Sequence, residues 1–213
     1  MTSENLSSKR ASGDEMLSDL TIKRTGKSLL QRSDWIKAGL IELAKSGPEA
    51  VGIASLARLL GVTKGSFYWH FASRDELLKA ILDEWKSRAT NRVIEIVEAE
   101  ETTAEAKIRK LAVLGVSSSL DELGGSIELA VRSLARTNKE VSAVVAEVDK
   151  QRIAYLINLF KSARPDQDPE LLACLHACFS AGLRQTFAYS NKEKLRIRQD
   201  ALDKIFFPPA DKK

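Results

Sequence analysis

Residues 61–71 read Gly-Val-Thr-Lys-Gly-Ser-Phe-Tyr-Trp-His-Phe, a stretch that crowds hydroxyl, ammonium, phenol, indole and imidazole groups together. Thr63, Lys64, Ser66, Tyr68, Trp69 and His70 can donate to phosphates, hydrogen-bond base edges or pack on thymine methyl groups. Other chemistries are poorly served. The chain shows no Ser-His-Asp or Cys-His set, no paired catalytic carboxylates and no glycine-rich phosphate loop, so neither an enzyme nor a cofactor is expected. A zinc site at His70 lacks a neighbouring His, Cys or carboxylate cluster. In Cys174-Leu175-His176-Ala177-Cys178 the two cysteines share a helix face while His176 points about 200° away. No metal is expected there, and the cysteines read as small buried side chains beside Phe179.

The elements that must position these groups are helices. No proline occurs between Pro48 and Pro165, and strand-like alternation is absent. Ser33 is the predicted cap of a first helix carrying Trp35, Ile36, Leu40, Leu43 and Ala44, ended by Gly47-Pro48. Two short segments follow, Ile53 to Leu60 and Lys64 to Phe71, joined at Gly61, where the turn requires a positive φ. Ile53, Leu56, Ala57, Val62 and Phe67 are their predicted buried side. Ser73 starts a long helix to about Glu98, with Asp75 and Glu76 complementing its dipole. Five more helices are predicted: Thr103 to Ser118, Ser126 to Arg136, Lys139 to Ala163, Pro169 to Tyr189 and Lys192 to Phe207. Asn138, Asp168 and Asn191 are their readable caps, and Asp121 to Gly125 reads as a loop. Two short helices around a glycine turn inside a three-helix unit form the helix-turn-helix pattern.

Composition bounds the rest. The 213 residues are 44% hydrophobic and 29% charged, with a formal net charge of +4, enough for one large domain or two small ones. No apolar run approaches the ~18 residues of a membrane span. The polar N-terminus lacks a signal-peptide core, and with two cysteines the expectation is a cytoplasmic protein with reduced thiols. Residues 1–28 are expected to be a disordered arm, basic at Lys23, Arg24 and Lys27.

Residues 61–71, followed by Arg74-Asp75-Glu76-Leu77-Leu78, closely resemble the DNA-binding domain of the tetracycline-repressor (TetR) family. The upstream helix Trp35 to Ser46 and the segment Val51 to Leu60 fit that family's first two helices, so the resemblance covers about residues 30–90. It implies an all-α fold of about nine helices. An N-terminal helix-turn-helix domain (29–89, motif about 52–71) would precede a helical effector-binding and dimerisation domain (90–213). It also implies a transcriptional regulator, a repressor, that binds a palindromic double-stranded DNA operator as a homodimer and answers to a small-molecule effector. By this resemblance Lys64, Gly65 and Ser66 face bases and nearby phosphates. Tyr68 and His70 contact the backbone or adjacent bases, with Trp69 beside them, and Arg74 binds a phosphate. Gly52 and Ala54 depart from the family's usual Thr and Arg, which removes two phosphate ligands.

Within the C-terminal half, Leu114, Val131, Arg132, Leu134, Tyr155, Leu159, His176 and Phe179 are the candidate effector-pocket residues. Their apolar character implies a mostly hydrophobic effector. Glu128 and Arg132 are spaced as an i,i+4 pair. Leu172, Phe179, Leu183, Leu202 and Phe206, on the last two helices, are the expected dimer contacts, since that pair forms a four-helix bundle across the family's dimer. The rival expectation is an all-α ligand-binding or protein-interaction module whose helix-turn-helix is structural.

Overall fold

The computed structural model describes residues 30–114, 124–186 and 188–209, and the basic arm and Phe187 lie outside them. Every regular element among the described residues is helical, as the sequence pattern predicts. The chain divides into two compact units, one of Met1–Trp85 with Glu122–Leu134, the other of Lys86–Asp121 with Ala135–Lys213. The sequence reading places the whole of 90–213 in the second domain. Here Glu122–Leu134 groups with the first unit instead, where Glu128 accepts a bond from Trp85.

In the first unit, α1 (Arg32–Ser46) starts slightly earlier than a cap at Ser33 would place it. Asp34 rather than Ser33 is the group that satisfies a free amide, accepting from the Gln31 N–H at 2.7 Å. After Gly47, at φ 80°, a 3₁₀ turn (Pro48–Ala50) leads to α2 (Ile53–Leu60). Gly61 closes α2 in the left-handed region, φ 65° and ψ 38°. The Val62 N–H returns to the Ala57 carbonyl at 2.9 Å and the Gly61 N–H to that of Arg58 at 3.1 Å. This double closure needs the positive φ that glycine adopts without strain. Helix α3 (Lys64–Tyr68) is shorter than the predicted Lys64–Phe71 segment. The His70 and Phe71 amides both converge on the Phe67 carbonyl, and Phe71 turns inward to stack on Phe67. Helix α4 (Arg74–Lys86) begins as predicted, with the Ser73 hydroxyl accepting from the Glu76 N–H.

The aromatic core of this unit fixes α3. Trp35, Phe67 and Phe71 are buried, with Trp35 edge-on to Phe67 at 5.3 Å between ring centroids. Gly39 explains how α1 and α4 approach: an added Cβ would sit 2.3 Å from the Ile81 Cδ1 atom. A glycine inside a helix costs about 1 kcal/mol against alanine, and here close packing is what it permits.

The predicted long fourth helix is one helical run with an irregularity. A π turn (Ser87–Asn91) separates α4 from α5 (Arg92–Glu100). In the second unit follow α6 (Ala104–Leu114), α8 (Lys139–Ala163), α9 (Pro169–Gln185), α10 (Asn191–Ala201) and a second π turn (Leu202–Phe206). Helix α7 (Gly124–Ala135) lies in the first unit up to Leu134 and takes in Gly124 and Gly125, which the sequence reading gives to a loop. Asn138 and Asp168 cap α8 and α9 as predicted, each accepting two amide N–H groups. Ser190 caps α10 in place of Asn191, in a box with Glu193. Helix α9 ends at Gln185, short of the predicted Tyr189. The core of this unit gathers Ile108, Ala112, Leu156, Leu159, Phe160, Leu172, Ala173, Ala201, Leu202 and Phe206.

Candidate nucleic-acid interface

Helix α3 turns one side into the core and the other to solvent. Phe67 is wholly buried, while Tyr68 is 61% and Trp69 88% exposed. An indole that open to water on a helix anchored by a packed phenylalanine is placed for a partner rather than for the core. Thr63, Lys64 and Gly65 are exposed as well, with Ser66 and His70 half-buried at the margins. The Thr63 side chain makes no capping bond, and Lys64 forms no ion pair with a described residue. Hydroxyl and ammonium therefore stand open to an external acceptor. A Cβ at Gly65 would meet only the Thr63 Oγ1 atom, at 3.6 Å, so internal packing does not demand glycine there.

Arg74 behaves differently from the others. Its Nε donates to the Val51 carbonyl at 2.8 Å, and a terminal nitrogen to that of Pro48 at 3.2 Å. It thus ties the start of α4 to the turn that opens α2. Arg32, the first residue of α1, lies 4.4 Å over the Phe71 ring and pairs with Glu76 at 3.2 Å. That pairing and the Ala72 amide hold the Glu76 carboxyl below the usual range, the amide bond being the larger cause.

Sequence reasoning missed Ser55. With Gly52 at the α2 cap, the Ser55 hydroxyl accepts from the Gly52 N–H at 3.2 Å and donates to the Ala50 carbonyl at 2.6 Å. A Ser three residues past the cap was the available signal.

The eight expected pocket residues are divided between the two units. Val131, Arg132 and Leu134 belong to the first unit, while Leu114, Tyr155, Leu159, His176 and Phe179 belong to the second. Arg132 bonds Glu128 at 2.8 Å, the predicted i,i+4 pair, and the buried Glu128 also accepts from the Trp85 indole. Tyr155 donates to Glu98 at 2.6 Å; burial, then this bond, pushes its phenol above the usual range. Of the eight, only His176 and Phe179 line the same recess, with Ala112, Ser180, Arg198, Leu202 and Phe206.

Two further placements correct the sequence reading. Leu172, Leu183, Leu202 and Phe206 pack inside their own unit, and Phe179 is half-buried. The large apolar groups that α9 and the second π turn leave exposed are Leu171, Leu175 and Ile205. The core took the more apolar stripe, and the outward face lies one residue away on α9. Cys174 and Cys178, expected buried, are exposed on that outward face. A hydrogen bond with Cys174 pushes the Cys178 thiol up.

One polar ladder went unread. Along α8, Glu147 takes Lys86 at 2.6 Å, Gln151 meets Asn91 at 3.1 Å and Tyr155 meets Glu98. Arg152 bonds the buried Thr90 hydroxyl at 3.0 Å and the Ala89 carbonyl at 3.1 Å. Those bonds satisfy a carbonyl in the π turn, where the regular helical ladder is interrupted.

A three-helix unit in which a short, outward-facing helix presents Lys64, Tyr68 and Trp69 defines the class of helix-turn-helix DNA-binding proteins. Residues 36–81 match the family model of the bacterial regulatory proteins, tetR family. The HTH-type transcriptional regulator TtgR of Pseudomonas putida is 40% identical over 52 residues, 24% of this chain. The chain spans about a quarter of that relative's length, 25%. Among solved structures, a transcriptional regulator from Saccharomonospora viridis in complex with choline superposes with a TM-score of 0.72 at 18% identity, over 80% of this chain and 94% of that one. FadR from Bacillus subtilis in complex with stearoyl-CoA gives 0.61 at 18%, over 81% and 97%. At these identities the shared property is the fold.

Proposed function

We propose that the protein is a ligand-responsive transcriptional repressor of the cytoplasm that binds a palindromic operator as a homodimer. The observation that carries this reading is the exposure of Trp69 and Tyr68 beside Lys64 on a helix pinned by buried Phe67. Thr63, Lys64, Gly65, Ser66, Tyr68, Trp69 and His70 form the surface that enters the major groove, and Lys64 neutralises a phosphate. Arg74 holds the framework, with its guanidinium edge facing the backbone. Two such helices related by a two-fold axis read two half-sites one helical turn apart.

The dimer forms through α9, α10 and the second π turn, where Leu171, Leu175 and Ile205 offer exposed apolar surface. A mostly hydrophobic effector in the second unit favours the state that cannot bind DNA. It shifts the helical run 74–100 and so changes the spacing of the two α3 helices. Such a ligand must bind that state more tightly, since equal affinity shifts nothing. Fold relatives crystallised with choline and with stearoyl-CoA support small-molecule control of this architecture.

Selection of bound sequences from random duplex DNA, followed by gel shift, tests the reading. A palindromic site is expected. Lys64→Ala should weaken binding with little change in melting temperature, and the slope of log K against log[salt] should fall by about 0.9 per subunit, roughly 1.8 for the dimer. A wild-type chain that selects no sequence would sink the proposal.

A further inference from the structure

Operator binding leaves unused the only two thiols of the chain, Cys174 and Cys178. Both are exposed on α9. They stand about one turn apart within the continuous helix Pro169–Gln185, so both side chains leave the same face. The two thiols hydrogen-bond to each other, which brings the sulfurs together and raises the Cys178 pKa. Leu171 and Leu175, 56% and 47% exposed, flank them within an arc of about 100°. The outward face of α9 is a thiol pair set in an apolar patch.

What such a pair can hold follows from its spacing. Residues four apart on a helix keep their Cβ atoms about 5–6 Å apart, whereas a disulfide needs about 3.5–4.5 Å. Oxidation does not join the two sulfurs while the turn between them stays helical. A single atom bonded to both sulfurs spans the wider gap. Structural zinc needs four ligands, and no group of three or more His, Cys, Asp or Glu side chains able to hold a metal ion occurs among the described residues. The neighbouring His176 is buried, turned away from the thiols. A soft centre that takes two sulfurs and carries its own organic group fits both the thiol count and the two leucines.

We propose that Cys174 and Cys178 together capture a trivalent organoarsenical, an organic group on arsenic with two hydroxyls, and that Leu171 and Leu175 pack against the organic group. Two S–H and two As–O bonds break, two As–S bonds form, and each thiol proton leaves with a hydroxide as water. Arsenic stays trivalent, so neither oxidant nor reductant is consumed. The departing hydroxide takes a proton from a thiol, and the thiol is the form in which Cys178 is held at neutral pH. The site is complete in one chain and needs no interior cavity. On the reading that α9 pairs two subunits, the same face meets the partner, so capture and pairing compete.

Intact-mass spectrometry and thiol titration of the full chain in phenylarsine oxide, which hydrates to this form, provide the test. One phenylarsenic group per chain and the loss of both titratable thiols are expected. Cys174→Ser and Cys178→Ser should each weaken retention at least about tenfold, because the second As–S bond is lost. Cys178→Ser with Gln185→Cys keeps two thiols, but about 16 Å apart along the helix, and should behave like the single variants. Equal retention by the wild type and that double variant, or an adduct that forms only after unfolding in guanidinium, would overturn the proposal. Sedimentation of the same samples separates this site from the dimer reading. A dimer that dissociates as the adduct forms supports both. An adduct on an undissociated dimer, or on a chain that is monomeric throughout, supports the site and sinks only the α9 dimer face.

Discussion

Both units pack buried aromatic rings, but they differ in what they send outward and in how many polar groups they keep inside. The first fixes short helices around three buried aromatic rings and sends two neighbouring aromatics into solvent. The second packs Phe160 and Phe206 among aliphatic side chains around a long α8 and keeps Thr90, His176 and Arg198 inside. A surface shaped for a fixed external partner must present set residue types at set spacings. Irregular backbone follows the same division. The π turns at 87–91 and 202–206 both lie in the second unit, each with an arginine from another element on one of its carbonyls: Arg152 on Ala89 and Arg164 on Phe206.

The comparison breaks most visibly at Phe67. Phe67→Ala removes the ring that joins Trp35 to Phe71 and should cost about 3–5 kcal/mol in chemical denaturation, with loss of DNA binding. A loss under about 1 kcal/mol would mean that α3 is not anchored by this ring.

Acid should act on the second unit through His176. Its folded-state pKa, about 4, lies below the ordinary value of 6.5, so the unfolded chain takes up a proton first as pH falls. This contribution to stability is complete above 6.5 and is lost progressively down to about 4, amounting to about 3 kcal/mol. His176→Phe should flatten that part of the stability-versus-pH curve, and an unchanged curve would contradict the neutral buried imidazole.

Arg74 and Lys64 should separate framework from contact. Arg74→Ala strips the Val51 and Pro48 carbonyls of their donor and should lower stability by about 1–3 kcal/mol, whereas Lys64→Ala should not. Equal melting temperatures for the two variants would place Arg74 outside the framework.

The smallest effect is expected at Gly65. Space exists for a methyl group, so Gly65→Ala should raise stability by up to about 1 kcal/mol while weakening operator binding. Unaltered affinity would mean that DNA does not approach the backbone at this residue.

Legibility followed the same line between the units. The helix-turn-helix, its Gly61 turn, the Ser73, Asn138 and Asp168 caps and the exposure of Tyr68 and Trp69 were all readable. Each rests on local rules: a left-handed turn, a side chain within three residues of a free amide, an apolar period. The ends of α3 and α9 were not, because a helix stops where packing demands it, as Phe71 shows. The structural bonds of Arg74 and the Arg152 clamp join residues 23 and 63 apart along the chain, which no periodicity encodes.

The sequence by itself determined an all-α chain and a DNA-reading motif, because backbone periodicity and turn chemistry act over a few residues. It also bounded the inner face of α9 to a stripe of leucines and phenylalanines. Tertiary structure alone decided which of two adjacent stripes went inward, leaving Leu171, Leu175 and both cysteines outside. It alone brought Arg198 of α10, from an otherwise polar helix, to His176 of α9. The physical reason is that burial is set by whichever neighbouring surface a helix meets, and a charged side chain can be buried when distant carbonyls accept its protons.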